Sequence, residues 1–248
     1  MKQQPSFGLE IEDNVLLGIG DCEDTEIIIP DGVISISDSA FEDCGSVTNV
    51  TIPKSVISIG DYAFLGCVSL REIEIPCGVI LIGEYAFDYC KSLTRIIVDT
   101  NNPIFDSRDN CNAIIETKTN KLIVGCKTTI IPESIISIGD YAFSCVSIES
   151  IVIPKSVIEI GDCAFEDCTS LINVTIPDGT KRIGSCAFNG CKSLTSIIIP
   201  NSVSTIESNA FYRCVSIKIY CEVASKPDGW SSNWNPNNRP LVWGYKYQ

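Results

Sequence analysis

The chain contains no histidine. That absence removes every Ser-His-Asp and Cys-His nucleophile arrangement, every imidazole metal site and the commonest general base. Long apolar runs are missing as well. Apolar runs such as Ile27 to Ile29 and Ile197 to Ile199 are strand-sized, against the ~18 apolar residues a membrane-spanning helix requires. Positive charge is scarce: 18 Lys and Arg face 31 Asp and Glu, for a net charge of −13. A nucleic-acid backbone would be repelled by such a surface, and charge alone would not hold it to an anionic membrane. The excess acid reads as a solubilising coat. Residues 1–20 carry no charged-then-apolar leader pattern. Carboxylate chemistry stays open to a protein without histidine, yet nothing in the sequence singles out an acid–base pair. No catalytic, cofactor-binding or metal-ligating residue is therefore expected.

What is present is repetition. An Ile/Val-Pro step, a short apolar run and an Ala-Phe pair recur seven times. The prolines are Pro30, Pro53, Pro76, Pro132, Pro154, Pro177 and Pro200; the phenylalanines are Phe41, Phe64, Phe87, Phe143, Phe165, Phe188 and Phe211. Both series advance by 23, 23, 56, 22, 23 and 23 residues. Two landmarks holding one spacing indicate stacked supersecondary units, and a period in the twenties indicates a solenoid. With 45% apolar and 20% charged residues, the chain has the material for such a core. Each unit needs its neighbours to bury its apolar face, so the 248 residues read as one elongated array.

One unit shows the logic. In Leu70 to Cys90, the residues Leu70, Ile73 and Ile75 give L-x-x-I-x-I, whose end alternates as a strand does. Pro76 closes the strand because it has no N–H for a ladder. Val79 to Ile82 is apolar and ends at Gly83, a natural corner. Glu84 to Cys90 reads as a short helical turn with Ala86, Phe87 and Cys90 on one side. Stacking these units predicts an α/β solenoid, with a parallel sheet on one face, short helical turns on the other and the phenylalanines piled inside.

The strand pattern, followed by Pro and then by Ile-Gly-Asp-Tyr-Ala-Phe-x-x-Cys-x-Ser-Leu, resembles the BspA-like branch of the leucine-rich repeats. The best matches run from Ile52-Pro53 to Ser69-Leu70 and from Ile153-Pro154 to Ser170-Leu171. The resemblance covers about residues 25–98 and 128–220. It implies a right-handed solenoid and a surface protein, bacterial or parasitic, that binds host or partner proteins. It thus implies a cell-surface or secreted location, with the signal absent from this chain; the thiol load argues for the alternative, a reducing cytoplasmic setting.

Three departures organise the rest. The fourth unit is one residue short at Phe143-Ser144-Cys145. The 56-residue step holds an insertion, 99–127, in which Ala113 to Glu116 and Lys121 to Val124 flank Thr117 to Asn120 as a hairpin. A similar hairpin, Leu9 to Glu12 and Val15 to Ile19, opens the chain. The expected organisation is an N-terminal hairpin cap at 1–24, a repeat array at 25–98, the inserted hairpin at 99–127, a second array at 128–220 and a Trp-rich cap at 221–248. Solenoid ends need such caps to hide open edges. The tail holds Trp230, Trp234 and Trp243; they read as a lid over the last coil, with a platform for sugar rings as the alternative.

Fourteen cysteines remain. Cys44, Cys67, Cys90, Cys145, Cys168, Cys191 and Cys214 share one repeat slot, which reads as an internal ladder of reduced thiols acting as small hydrophobes. Cys163 and Cys186 stand where other units carry Tyr62, Tyr85 and Tyr141. The resulting pair of Cys-x4-Cys spacings suggests a four-thiolate zinc site, but the two slots face different ways, which argues against it. A Cys163–Cys186 disulfide between adjacent coils is within reach, since neighbouring Cα atoms lie ~5 Å apart.

In L-x-x-I-x-I the residue between the last two apolar positions points outward. That column reads Ile28, Thr51, Glu74, Ile97, Ile130, Val152, Thr175 and Ile198, beside a second outward column containing Glu72 and Arg95. Glu72, Glu74, Arg95, Ile97, Ile130, Val152, Thr175 and Ile198 are the candidate partner-binding residues, with Ile97, Ile130 and Val152 expected to form an apolar patch. Against this, β-branched residues suit any strand, and the inserted hairpin is placed to cover them. The function expected is a non-enzymatic, monomeric module that binds a protein, or a glycan through the C-terminal aromatics. The alternative is a spacer within a longer surface protein.

Overall fold

The computed structural model describes residues 8–20 and 24–246; residues 1–7 and 21–23 of the expected N-terminal cap lie outside the described residues. The chain divides into two compact units, residues 1–118 with 125–129 and residues 119–124 with 130–248. The division falls within and just after the segment 99–127.

In the first unit every coil supplies one short strand and one longer strand. The short strands Ser35–Ile36, Ser58–Ile59 and Leu81–Ile82 pair in parallel, Ser35 against Ser58 and Ser58 against Leu81. Leu9–Glu12 and Val15–Ile19 form an antiparallel hairpin, and Val15 sits opposite Ser35. Asp13 and Asn14 hold φ of 48° and 63°, the left-handed pair that a two-residue hairpin turn requires. The longer strands Glu26–Ile28, Asn49–Thr51, Glu72–Ile75 and Arg95–Val98 make a second parallel sheet. Phe105–Asp106 then pairs antiparallel with Ala113–Glu116.

The second unit follows the same plan. Its short strands Ser137–Ile138, Glu159–Ile160, Arg182–Ile183 and Thr205–Ile206 pair in parallel in chain order, and Lys121 and Leu122 of the strand Lys121–Gly125 pair with the first of them. Its longer strands are Ser150–Val152 with Asn173–Thr175, and Ser196–Ile199 with Lys218–Cys221 and Leu241–Trp243, again parallel.

The structure adds one element and corrects one expectation. The apolar stretch Val79 to Ile82 contains the strand Leu81–Ile82, part of a second sheet. The Ala-Phe segments are not helical. In Tyr62 to Gly66, the N–H groups of Tyr62, Phe64 and Gly66 donate sideways to Glu84, Ala86 and Asp88 of the next coil at 2.9, 2.8 and 3.0 Å. Leu65 and Cys67 close tight local turns onto Tyr62 and Phe64. A helix would need all those donors for its own carbonyls. Left-handed corners, Tyr62 at φ 58° and Gly66 at φ 73°, bend the backbone out of any helical path. Among the described residues the single helical element is a 3₁₀ turn, Arg108–Asn110. The fold is a β-solenoid with repeats of about 23 residues, and the α component of the expected class falls away.

The core is the aromatic pile. Phe41, Phe64 and Phe87 stack at 4.8 and 5.1 Å, and Phe143, Phe165, Phe188 and Phe211 at 5.1, 5.2 and 5.6 Å, with rings within 6° of parallel. Parallel coils bring identical residues to the strand spacing of ~4.8 Å, so equal spacing in sequence becomes face-to-face stacking. Beside the rings the cysteine slot is satisfied across coils. Cys67, Cys90, Cys168, Cys191 and Cys214 donate from Sγ to the carbonyls of Phe41, Phe64, Phe143, Phe165 and Phe188 at 2.9–3.2 Å. Burial pushes the Cys67 thiol up to about 12. The ladder has one exception: Cys44 is disulfide-bonded, while the other twelve described cysteines are free.

At the corners, aspartate carboxylates bridge neighbouring coils. Asp38 Oδ1 accepts from the Asp61 N–H at 2.9 Å, and Asp140 Oδ1 from the Asp162 N–H at 2.8 Å. This is why Gly161 has no side chain. A Cβ there would lie 2.4 Å from Asp140 Oδ1 and 2.7 Å from the Asp140 nitrogen.

At the C-terminal end Trp230 and Trp234 are buried. Trp230 donates Nε1–H to the Val203 carbonyl at 3.1 Å, and Trp234 packs edge-on against Phe211 at 5.9 Å. The side chain that ends the phenylalanine pile is thus an indole.

Candidate binding surface

The longer-strand sheets leave one row of side chains outside, because successive residues point to opposite faces. In the first unit Ile73, Ile75, Ile96 and Val98 are buried, while Glu74 and Arg95 are exposed and Glu72 and Ile97 partly so. Register sets Glu72 beside Arg95 and Glu74 beside Ile97. These four residues, with Asn49 and Lys54, line a shallow concavity of about 290 Å³. Arg95 Nη1 lies 3.2 Å from Glu72 Oε2, both about half exposed, so the pair adds ~0–1 kcal/mol and orients charge more than it stabilises.

In the second unit Val152 is 81% exposed and Ile130 76%. Val152 lies beside Thr175, which is exposed, with Ser150 beside Asn173. Ile198 is half-buried opposite Tyr220. The candidate residues therefore fall into two groups: Glu72, Glu74, Arg95 and Ile97 in the first unit, and Ile130, Val152, Thr175 and Ile198 in the second.

Two surface features escaped the sequence reading. Ile34, Ile57 and Ile80 in the first unit, and Ile136 and Ile158 in the second, stand about half exposed just before the short strands. The signal was present: each follows a buried Val33, Val56, Val79, Ile135 or Val157, and two adjacent residues of an extended segment do not face one side. The second feature is a charged hollow of about 310 Å³ along the short strands of the second unit, around Lys121, Asp140, Glu159, Asp162 and Arg182. Arg182 reaches Asp162 at 2.7 Å, Glu159 at 3.0 Å and Glu207 at 3.8 Å. Burial lowers its proton affinity, but hydrogen bonds and charge from Asp162 and Glu159 outweigh this and raise it.

The tryptophans do not offer a sugar platform as a group, since Trp230 and Trp234 are enclosed and only Trp243 is partly open.

The model of the BspA type leucine-rich repeat region matches residues 19–122 and 113–225, in six copies. Among solved structures, a leucine-rich cell-surface protein from Faecalibacterium prausnitzii is 29% identical with a TM-score of 0.63, over 92% of this chain and 65% of that one. The leucine-rich repeat protein of T. pallidum is 28% identical with a TM-score of 0.50, over 87% and 91%. The pneumococcal vaccine antigen PcpA, 24% identical with a TM-score of 0.62 over 84% and 47%, shares the fold. The chain thus spans less than two thirds of the F. prausnitzii protein and of PcpA. No curated protein matches the sequence.

Proposed function

The chain belongs to the BspA-type leucine-rich repeat family, and on that premise we propose that it is a non-enzymatic binding module, displayed at a cell surface, that takes a protein partner on its longer-strand sheets. The observation that carries this reading is the outward row itself. It sets a strongly exposed Val152 among polar neighbours in one unit, and a shallow hollow lined by both charges and Ile97 in the other. Apolar residues rimmed by polar ones are the composition of protein interfaces. The surface location draws on the likeness to the F. prausnitzii cell-surface protein.

The test is Ile97→Glu and Val152→Glu, separately and together, against Ile80→Glu on the short-strand side as control. Partners captured from mucosal extract are identified by mass spectrometry and their affinities remeasured with purified protein. At least a tenfold loss in one of the outward variants, with the control unchanged, is the expected result. Equal affinity in all variants excludes the strand face as the binding site, and capture of no partner favours a spacer.

A further inference from the structure

Cys163 and Cys186 differ from the thiols of the internal ladder. They occupy the left-handed corner of two adjacent coils, at φ 51° and 54°, a column filled elsewhere by Tyr62, Tyr85 and Tyr141. Tyr62 and Tyr85 stack their rings there at 5.0 Å. Where cysteine replaces tyrosine the column shrinks to two sulfurs, and the space is shared with a carboxylate. Cys163 Sγ, Cys186 Sγ and a Glu166 oxygen all lie within 4.8 Å of one another. We propose that Cys163, Cys186 and Glu166 form a zinc-binding site that clips two neighbouring coils together, with the amide oxygen of Asn189 or a water as fourth ligand.

The backbone builds the arrangement. Cys163 to Glu166 is a tight turn closed by the Glu166 N–H on the Cys163 carbonyl at 3.0 Å, and Cys186 to Asn189 is its equivalent on the next coil, closed at 2.8 Å. The two turns are bonded to each other at one end by the Asp167 N–H on the Asn189 carbonyl at 2.7 Å. A Cys-x-x-Glu turn thus lies against a Cys-x-x-Asn turn, so that two thiols and a carboxylate converge from adjacent corners, with the Asn189 amide bonded to the carboxylate. Two sulfurs on one tetrahedral zinc at ~2.3 Å stand ~3.8 Å apart, a spacing that a small side-chain rotation reaches from the present one. Two thiolates favour zinc over calcium or magnesium, and the carboxylate is an accepted third ligand.

A second observation points the same way. Asn189 is nine-tenths buried; its Nδ2 donates to Glu166 Oε1, while its Oδ1 is enclosed with no hydrogen-bond partner. A buried acceptor left unpaired is costly. The amide nitrogen two bonds away faces the Glu166 carboxylate, so turning the amide over would present this oxygen to a cation held there. Outer groups of this kind fix ligand orientation, and Tyr141, hydrogen-bonded to Cys163, flanks the site from the preceding coil. Binding releases the two thiol protons to solvent as the thiolates form. This site departs from the expectation that no metal ligands are present. It is not the four-thiolate arrangement suggested by the Cys-x4-Cys spacing, because Cys168 and Cys191 are turned inward onto phenylalanine carbonyls.

The experiment uses the full chain, reduced and stripped of metal. Titration with Co(II) should give one equivalent with a sulfur-to-cobalt charge-transfer band, which one equivalent of Zn(II) displaces. Zinc should raise the melting temperature, as a ligand of the native state does. Cys163→Ser with Cys186→Ser should abolish the band, Glu166→Gln should weaken zinc binding at least tenfold, and Cys168→Ser should leave both unchanged. Circular dichroism checks that each variant is folded; Glu166→Gln keeps the test decisive if the double variant is not. A band retained in the folded double variant, an unchanged zinc affinity in Glu166→Gln, or no stoichiometric cobalt complex overturns the proposal. So does mass spectrometry showing that the pair closes to a disulfide without taking up metal from an equimolar zinc solution.

Discussion

Replacing Phe165 by alanine tests the central packing claim. The ring has no exposed surface and lies between Phe143 at 5.1 Å and Phe188 at 5.2 Å. Returning ~150 Å² of aromatic surface at ~25 cal/mol per Å² amounts to ~4 kcal/mol. Each lost stacking contact adds ~0.5–1.5 kcal/mol, and partial collapse around the new methyl group takes some of this back. The expected loss is about 3–5 kcal/mol, the range for buried Phe→Ala. Urea denaturation followed by tryptophan fluorescence suits the measurement, because Trp230, Trp234 and Trp243 all belong to the second unit, as Phe165 does. Val152→Ala, at a side chain 81% exposed, provides the reference and should stay within about 0.5 kcal/mol of wild type. A loss below about 1 kcal/mol for Phe165→Ala would mean that the aromatic pile does not hold the coils together.

Two further outcomes follow from the corners and the thiols. Gly161→Ala should destabilise the second unit by about 1–3 kcal/mol in the same assay, because the added methyl meets the Asp140 backbone as well as its carboxylate; an unchanged midpoint would refute the close approach. Burial raises the folded-state thiols, Cys67 and Cys221 to about 12 and Cys111 to about 11. Above the ordinary thiol range near pH ~8.5–9 the unfolded chain loses protons that the folded chain keeps. Stability should therefore be fully present below pH 8 and fall as pH rises from about 9 towards 12. Denaturant midpoints at pH 8, 9.5 and 10.5 measure this, and Cys67→Ala should flatten the slope; a pH-independent midpoint would contradict the buried ladder.

Most of the core was legible because its signals are local and repeated. Phe41 to Phe211 and Cys67 to Cys214 keep one spacing, and equal spacing in a stacked chain means superposition. What was misread depended on where hydrogen bonds go. Ala86, Phe87 and Cys90 fit one side of a helical turn and equally the inner side of a tight bend. The choice is made by partners 22 residues away, such as Glu84 O for the Tyr62 N–H, which no short window of sequence contains. Two-residue strands such as Leu81–Ile82 are too short to show alternation. The bridge at Cys44 was missed because its slot looks like every other slot in the cysteine series. For the surface, strand alternation gave the exposure of Thr51, Glu74, Val152 and Thr175, whereas Ile28, Ile97 and Ile198 of the same column are only partly exposed. The neighbourhood of Cys163, Glu166 and Cys186 was not legible, because it needs two corners from different coils with their side chains turned towards each other.

The left-handed bends also explain how such a chain tolerates change in length. One coil of the second unit has 22 residues from phenylalanine to phenylalanine instead of 23, and the missing residue is lost beside Cys145, which itself adopts φ 57°. Rings on either side remain stacked at 5.1 Å. A small deletion is thus absorbed at a bend, while gain or loss of an entire winding keeps the phenylalanine and cysteine slots in register. A gene encoding this architecture can be lengthened or trimmed by unequal recombination, adjusting its reach without redesigning its interior.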